Sequence, residues 1–198
     1  MRRRKRLEEK LLARLRSSKQ YPPPAKRLGA FLIDYVLSSI FISVIPMVIT
    51  SIVTREKVFT ASAFSRMPLA WQVVSGAAAL ILGAYYFIAY PMKKAHLGQT
   101  PGKRLMKLRI APADGQELTW IHMCRRELIG SMIAEGETAF PSSFFRYFLY
   151  MLLPGNTAGW LAAAAAALSA ASVLWALFHE KHRMFHDYIG KTVVQGVP

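Results

Sequence analysis

The sequence predicts an all-α integral membrane protein with about four transmembrane helices, a small cytoplasmic β-hairpin and a basic amphipathic helix at its amino end. Three observations predict it. Hydrophobic residues make up 53% of the 198 positions and charged residues only 19%, a balance that points to burial in lipid and away from disorder. The apolar residues fall in long runs. The net charge of +15 is concentrated beside those runs, with eleven Lys and Arg between Arg2 and Arg27 and eight between Lys93 and Arg126. On a soluble domain such a charge would suggest nucleic acid. Flanking apolar runs, it is the positive-inside pattern together with attraction to anionic headgroups, so no nucleic-acid partner is expected.

Residues 1–25 read as a basic arm. Leu7, Leu11, Leu12 and Leu15 recur at helical spacing among Arg2, Arg3, Arg4, Lys5, Arg6 and their neighbours, which suits a helix lying on an anionic membrane surface until Pro22-Pro23-Pro24 ends it. A cleaved signal is not expected. The apolar run starts only at Leu28 and continues to Val53, well beyond the roughly 7–15 residues of a signal peptide, and Ala61-Ser62-Ala63 lies too far downstream to be its cleavage site.

Residues 26–198 read as one transmembrane domain. The run 28–53 extends roughly 39 Å as a helix, enough to cross a core about 30 Å thick, and Pro46 is expected to kink it. The second span, 69–90, ends in Tyr85, Tyr86, Phe87 and Tyr90, which suit the interface. The polar stretch from Lys93 to Arg126 belongs to the cytoplasm by its charge. Within it Met106, Leu108 and Ile110 alternate with Lys107 and Arg109, and Asp114-Gly115 supplies a turn before Glu117 to Trp120, so a hairpin is expected over about 104–120. From Leu118 to Ile133 the period becomes helical, with Ile121, Cys124, Leu128 and Met132 on one side against His122, Arg125 and Arg126, as in a helix along the inner surface. A span over 157–178 follows, preceded by a third, shorter segment, 138–153, that is either a short span or re-entrant. The basic tail and its strand-like Thr192 to Gln195, which could join the cytoplasmic hairpin, call for an even number of crossings, hence four, with both termini cytoplasmic.

Among chemical signals the strongest is Asp34, about six residues inside the first span. A carboxylate at that depth costs about 2.5–3.5 kcal/mol, so it must face a partner, a water-filled cavity or a proton. Arg27 lies seven residues earlier on the same helix face. His179, His182 and His186 with Asp187 resemble a metal-binding set, but there is no His-Glu-x-x-His, and a solvated basic end is the better reading. Gly98-Gln99-Thr100-Pro101-Gly102-Lys103-Arg104 and Gly190-Lys191-Thr192 fall short of a phosphate loop in spacing and residue type, and read as turns at the membrane where Lys103 and Arg104 meet phospholipid. Gly155 with Gly159 and Ala79 with Gly83 permit close helix packing within the chain. Cys124 is the only cysteine, which excludes an internal disulfide and a Cys-based metal site. No nucleophile and base occur together, so no enzyme, no metal and no cofactor are expected.

Three segments together resemble one family. Arg27-Leu28-Gly29-Ala30-Phe31-Leu32-Ile33-Asp34, Gly98 to Leu105, and His186-Asp187-Tyr188-Ile189-Gly190-Lys191-Thr192-Val193-Val194 are similar, in the same order, to motifs of the RDD family of bacterial membrane proteins. The resemblance covers about residues 26–194. It implies that Arg27, Asp34 and Asp187 are the arginine and two aspartates for which the family is named, and a role in moving unidentified ligands. Two functions follow as expectations. One is transport, with Asp34, Arg27 and Asp187 binding a proton or small cation, and a homodimer or partner subunit completing the path. The other is a scaffold that docks on partner membrane proteins and anionic lipid, in which the same three residues form a static tie.

Overall fold

The computed structural model describes residues 21–56, 61–136, 141–153, 156–179 and 181–197. The predicted amphipathic arm and the start of the expected third span lie outside them. In chain order the elements are α1 (Pro24–Thr54), α2 (Ala61–Ser65), α3 (Leu69–Ala84, running on through a π-helical turn Tyr85–Ala89 to Met92), α4 (Pro101–Leu105), β1 (Leu108–Pro112), α5 (Trp120–Cys124), a π-helix continuing it (Arg125–Ala134), α6 (Pro141–Leu152), α7 (Thr157–Phe178), α8 (Phe185–Ile189) and β2 (Thr192–Gly196).

α1 shows why this chain suits lipid. Pro24 stands at its first turn, where the missing N–H costs nothing, and the helix continues through Pro46 to Thr54. Every fourth residue from Ala30 to Thr50 is buried: Ala30, Asp34, Ser38, Ile42, Pro46 and Thr50. The opposite stripe, Leu28, Leu32, Val36, Ile40, Val44, Val48 and Ile52, is exposed and wholly aliphatic. Small and polar residues face the protein and hydrocarbon faces outward, the inverse of a water-soluble helix. Among the described residues three helices are long and apolar enough to cross a membrane: Pro24–Thr54, Leu69–Met92 and Gly159–Phe178.

The described part of the expected third span is a 12-residue helix, α6, roughly 18 Å long, a length too short to cross alone. It packs antiparallel to α3 through two glycines. A Cβ on Gly83 would lie 2.6 Å from Pro141, and one on Gly76 would lie 2.6 Å from Phe148. Tyr147 donates to Gln72 at 2.6 Å, and Phe64 packs edge-on against Tyr147 and Phe144. α6 thus runs from the middle of α3 toward its first turn. On its other flank, a Cβ on Gly136 would come 2.9 Å from Ala165, well along α7.

The local hairpin predicted over 104–120 does not form. β1 instead pairs antiparallel with β2, in a register that sets Leu108 opposite Gly196 and Ile110 opposite Val194. After the turn at Gly115, Thr119 begins a helix, accepting from His122 N–H at 3.4 Å while His122 Nδ1 accepts from Thr119 N–H at 3.3 Å. That reciprocal cap makes 117–120 a helix start, and the valine-rich 192–196 takes the strand's place. The sheet packs under the first turns of α1 through Ala30, Leu108 and Val194, and against α3 and α5 through Ile88, Ile110 and Met123.

The helix predicted along the inner surface is also turned round. Arg126, Glu127, Gly130 and Ser131 face the interior, whereas Ile121, Ile129 and Ile133 are exposed. Placing Arg126 outward followed from water-soluble amphipathicity. Here the polar side packs on α8, so closely that a Cβ on Gly130 would lie 2.7 Å from His186 Cα.

Candidate functional site

Two buried carboxylates, on α1 and α8, organise the polar interior. Asp34 is 3% exposed. Its Oδ1 accepts from Gly102 N–H at 2.8 Å and Tyr86 O–H at 3.1 Å. Its Oδ2 accepts from Thr100 O–H, and Lys103 Nζ stands 3.5 Å away. The segment predicted to be a membrane-surface turn builds this cradle. Pro101 opens α4, Thr100 caps it by accepting from Lys103 N–H, and the free N–H of Gly102 is left pointing at Asp34. Position 102 tolerates only glycine, since a Cβ would come 2.8 Å from Asp34 Cγ and press on the Ala30 carbonyl. Lys103, expected to meet phospholipid, is turned inward by this carboxylate, while Arg104 is exposed.

Asp187 is fully buried on α8. Arg27 donates to its Oδ2 at 2.6 Å and Arg126 to its Oδ1 at 3.0 Å, and Met184 N–H adds a bond at 3.1 Å. Burial alone would raise the carboxyl's pKa. The Arg27 and Arg126 guanidiniums, with His186 beside them, outweigh it and hold the group well below the usual carboxylate range. Arg126 also donates to Glu127, and Arg27 to the His182 carbonyl.

The three residues singled out in the sequence therefore fall into two centres. Arg27 and Asp187 meet, but Asp34 pairs with Lys103 and not with Arg27. Seven helical residues share a face yet are separated by roughly 10 Å along the axis, and each side chain finds a nearer partner from elsewhere in the chain. The three histidines do not share a helix, because α7 ends at Phe178 and His179 is extended. Of the three only His186 is buried, and no cluster among the described residues has the composition of a metal site.

A third carboxylate went unnoticed. Glu135, at the end of the π-helix, is fully buried. Its Oε1 accepts from Ser172 O–H at 2.7 Å and His186 N–H at 2.8 Å, its Oε2 lies 2.7 Å from His186 Nδ1, and its carbonyl accepts from Ser169 O–H. The available signal was Ser169 and Ser172, three residues apart on one face of an alanine-rich helix, a polar notch that needs a partner. Arg125-Arg126-Glu127 was the other, since one of these charges must turn inward on any helix beside the membrane.

Both centres border one cavity of about 490 Å³, lined by Arg27, Asp34, Lys103, Arg126, Glu127 and His186 at its polar edge and by Leu28, Phe31, Phe87, Val173 and Leu177 elsewhere. It is large enough for a small ligand and carries charges of both signs. The RDD family model matches residues 21–191. No curated protein and no solved structure gives a match.

Proposed function

The chain belongs to the RDD family, and on that premise we propose that it is a multi-pass cell-membrane transporter that exchanges a small cation for protons at Asp34. The observation that carries this reading is the Asp34–Lys103 pair in the cavity wall. Three neutral donors fix the carboxylate, and the single charged one, on a flexible stem, stands at 3.5 Å. A cation entering the cavity competes with that ammonium for the carboxylate, and a proton on Asp34 releases both.

In this reading the chain crosses four times with both ends cytoplasmic. The β1–β2 ladder and the Arg27–Asp187 bond hold the start of α1, the segment after α3 and the segment after α7 on one side, which favours an even number of crossings. The third crossing is divided. The π-helix enters from the sheet side, α6 completes the far half, and the break lies near mid-depth, where Pro141 meets Gly83 and Gly136 meets Ala165. Interrupted crossings are where transporters commonly place ion sites. A homodimer or partner subunit would enclose the rest of the path, and Arg104 with the basic arm would sit against anionic lipid.

The test is cation-dependent proton flux in proteoliposomes, comparing the native chain with Asp34→Asn. Flux driven by Na⁺, Li⁺ or K⁺ in the native protein and lost in the folded variant supports exchange. Neither protein moving protons above empty vesicles rules it out. A scaffold reading is favoured by one observation, that both oxygens of Asp34 and both of Asp187 are already occupied. Deleting residues 1–20 separates the two, because transport should survive while docking on membrane partners and anionic lipid should fail.

A further inference from the structure

The cavity has an open side. α1 packs chiefly on α3 and α4, and α7 on α6 and the π-helix, so the cavity lies between two helices that do not rely on each other for packing. Leu28 and Phe31 of α1 and Val173 and Leu177 of α7 line it, yet all four are 40–57% exposed. Side chains that wall a cavity while half exposed stand at its mouth. Leu28 belongs to the aliphatic stripe that α1 turns outward, and both helices are long and apolar enough to cross a membrane. The cavity is therefore a cleft that opens sideways, toward the bilayer.

Its polar edge lies at the depth of a headgroup. Arg27 is in the first turn of α1, His182 comes shortly after the end of α7, and Lys103 is on α4 beside them. The carboxylates bordering the cleft already have cations, Lys103 for Asp34 and Arg126 for Glu127. Arg27 spends two of its five N–H donors, on Asp187 and on the His182 carbonyl. Lys103 Nζ holds Asp34 and Thr100 only at 3.5 and 3.3 Å. The Arg27 and Lys103 side chains are also the more accessible, 12% and 14% exposed against 4% for Asp34 and 9% for Glu127. Spare N–H donors at the rim of an apolar cleft complement a phosphate that carries hydrocarbon.

Energetics decide what selects the occupant. Lipid tails are as apolar as leucine, so moving a chain from the bilayer into the cleft gains little. Discrimination falls to the polar edge, where a basic pocket between membrane helices favours an anionic headgroup. A soluble phosphate would use the same donors but leave the apolar mouth without a role.

We infer that the cleft between α1 and α7 binds an anionic phospholipid from the leaflet on the sheet side, with one acyl chain against Phe31, Phe87 and Leu177 and the phosphate on Arg27 and Lys103. The inference rests on α1 and α7 crossing the bilayer, and it stands whether or not cations exchange at Asp34.

The experiment places the full chain in phosphatidylcholine nanodiscs with a trace of phosphatidylglycerol that carries a diazirine on its acyl chain, and maps the residues labelled on illumination. The expected result is labelling of Phe87 and Leu108, on the far wall of the cleft, that inorganic phosphate does not displace. A phosphatidylcholine probe with the same chain should label that wall several-fold less. Labelling confined to outward residues such as Leu32 and Ile40 overturns the inference. So does equal far-wall labelling by the two probes, or displacement by phosphate alone, which would make the site one for a soluble anion. Ala176→Phe fills the mouth from α7 and should abolish far-wall labelling, while Leu174→Phe, at an exposed position outside the cleft, should leave it intact. Undiminished labelling in Ala176→Phe refutes the site. Lys103→Gln should lower the phosphatidylglycerol signal several-fold and Lys103→Arg should retain it; an unchanged signal in Lys103→Gln removes the phosphate from that position. Far-wall labelling gained only on deleting residues 1–20 would assign the cleft to the amino-terminal arm and overturn the inference as well. Should Lys103→Gln not fold, the comparison of the two probes and Ala176→Phe decide the matter.

Discussion

Asp34 and Asp187 are both buried within one domain, yet they are held in opposite ways. Asp187 sits between two guanidiniums at 2.6 and 3.0 Å. Asp34 is held by two hydroxyls and a backbone N–H, and its one cation is a lysine at 3.5 Å. Two rigid forks favour the anionic form of a carboxylate and fix its position, while neutral donors orient a carboxylate with less bias toward its charge. The first arrangement ties α8 to α1 and to the π-helix. The second leaves the kind of group that the proposed exchange requires.

The largest effect that follows is from Asp187→Asn. It leaves Arg27 and Arg126 buried without their shared counter-charge and should cost about 3–5 kcal/mol, seen as a lower denaturation midpoint or lost folded yield in detergent. An equal loss from Asp34→Asn would erase the distinction. Gly102→Ala strikes the other centre, forcing a methyl against Asp34 and the Ala30 carbonyl, and should cost about 1–3 kcal/mol, with Gly159→Ala, which meets nothing within 4 Å, as the tolerated control. Asp34→Asn itself should abolish flux while costing about 1–3 kcal/mol, because the hydrogen-bond donors around it keep one acceptor oxygen. Lys103→Gln should cost about 1–3 kcal/mol, since it leaves a buried carboxylate with neutral donors only, and should shift the cation concentration at which flux is half-maximal, because the competing ammonium is gone.

The smallest expected effect is the most diagnostic. A folded-state pKa held below its unfolded value gives stabilisation that is complete above the unfolded value, about 3.9, and is lost only as pH falls through the lower folded value. The stability gap between the native chain and Asp187→Asn should therefore be the same at pH 7 and pH 5 and close only in stronger acid. A gap that narrows already at pH 5 would show that the two arginines do not bracket Asp187.

The spans at 28–53, 69–90 and 157–178 were legible because each is a long apolar run, and Arg27, Asp34 and Asp187 because each stands in a recurring motif. Their partners were not. The Arg27–Asp187 bond joins residues 160 positions apart, and no local period encodes it. The strand at 192–196 was expected to join the sheet and does, but 117–120 does not pair with β1, since alternation marks a strand without saying what it pairs with. Arg126 was read outward by a rule derived for water, in which charge faces solvent. In lipid the charged side of a helix turns inward if the interior offers a carboxylate, and Asp187 does. Glu135 escaped because its burial depends on two serines of α7 that are unremarkable taken singly.

The β1–β2 ladder also bears on how the protein is made. β1 leaves the ribosome long before β2, and between them lie α5, the π-helix, α6, α7 and α8. Through that interval β1 presents an open edge, although Ala30 and Ile88, which pack on Leu108 and Ile110, are already made. If α7 crosses the bilayer as proposed, only a chain in which it inserts the right way round delivers β2 to the face where β1 waits, and reversed insertion would strand the two partners on opposite sides. On that reading a five-residue ladder reports on the topology of the whole chain.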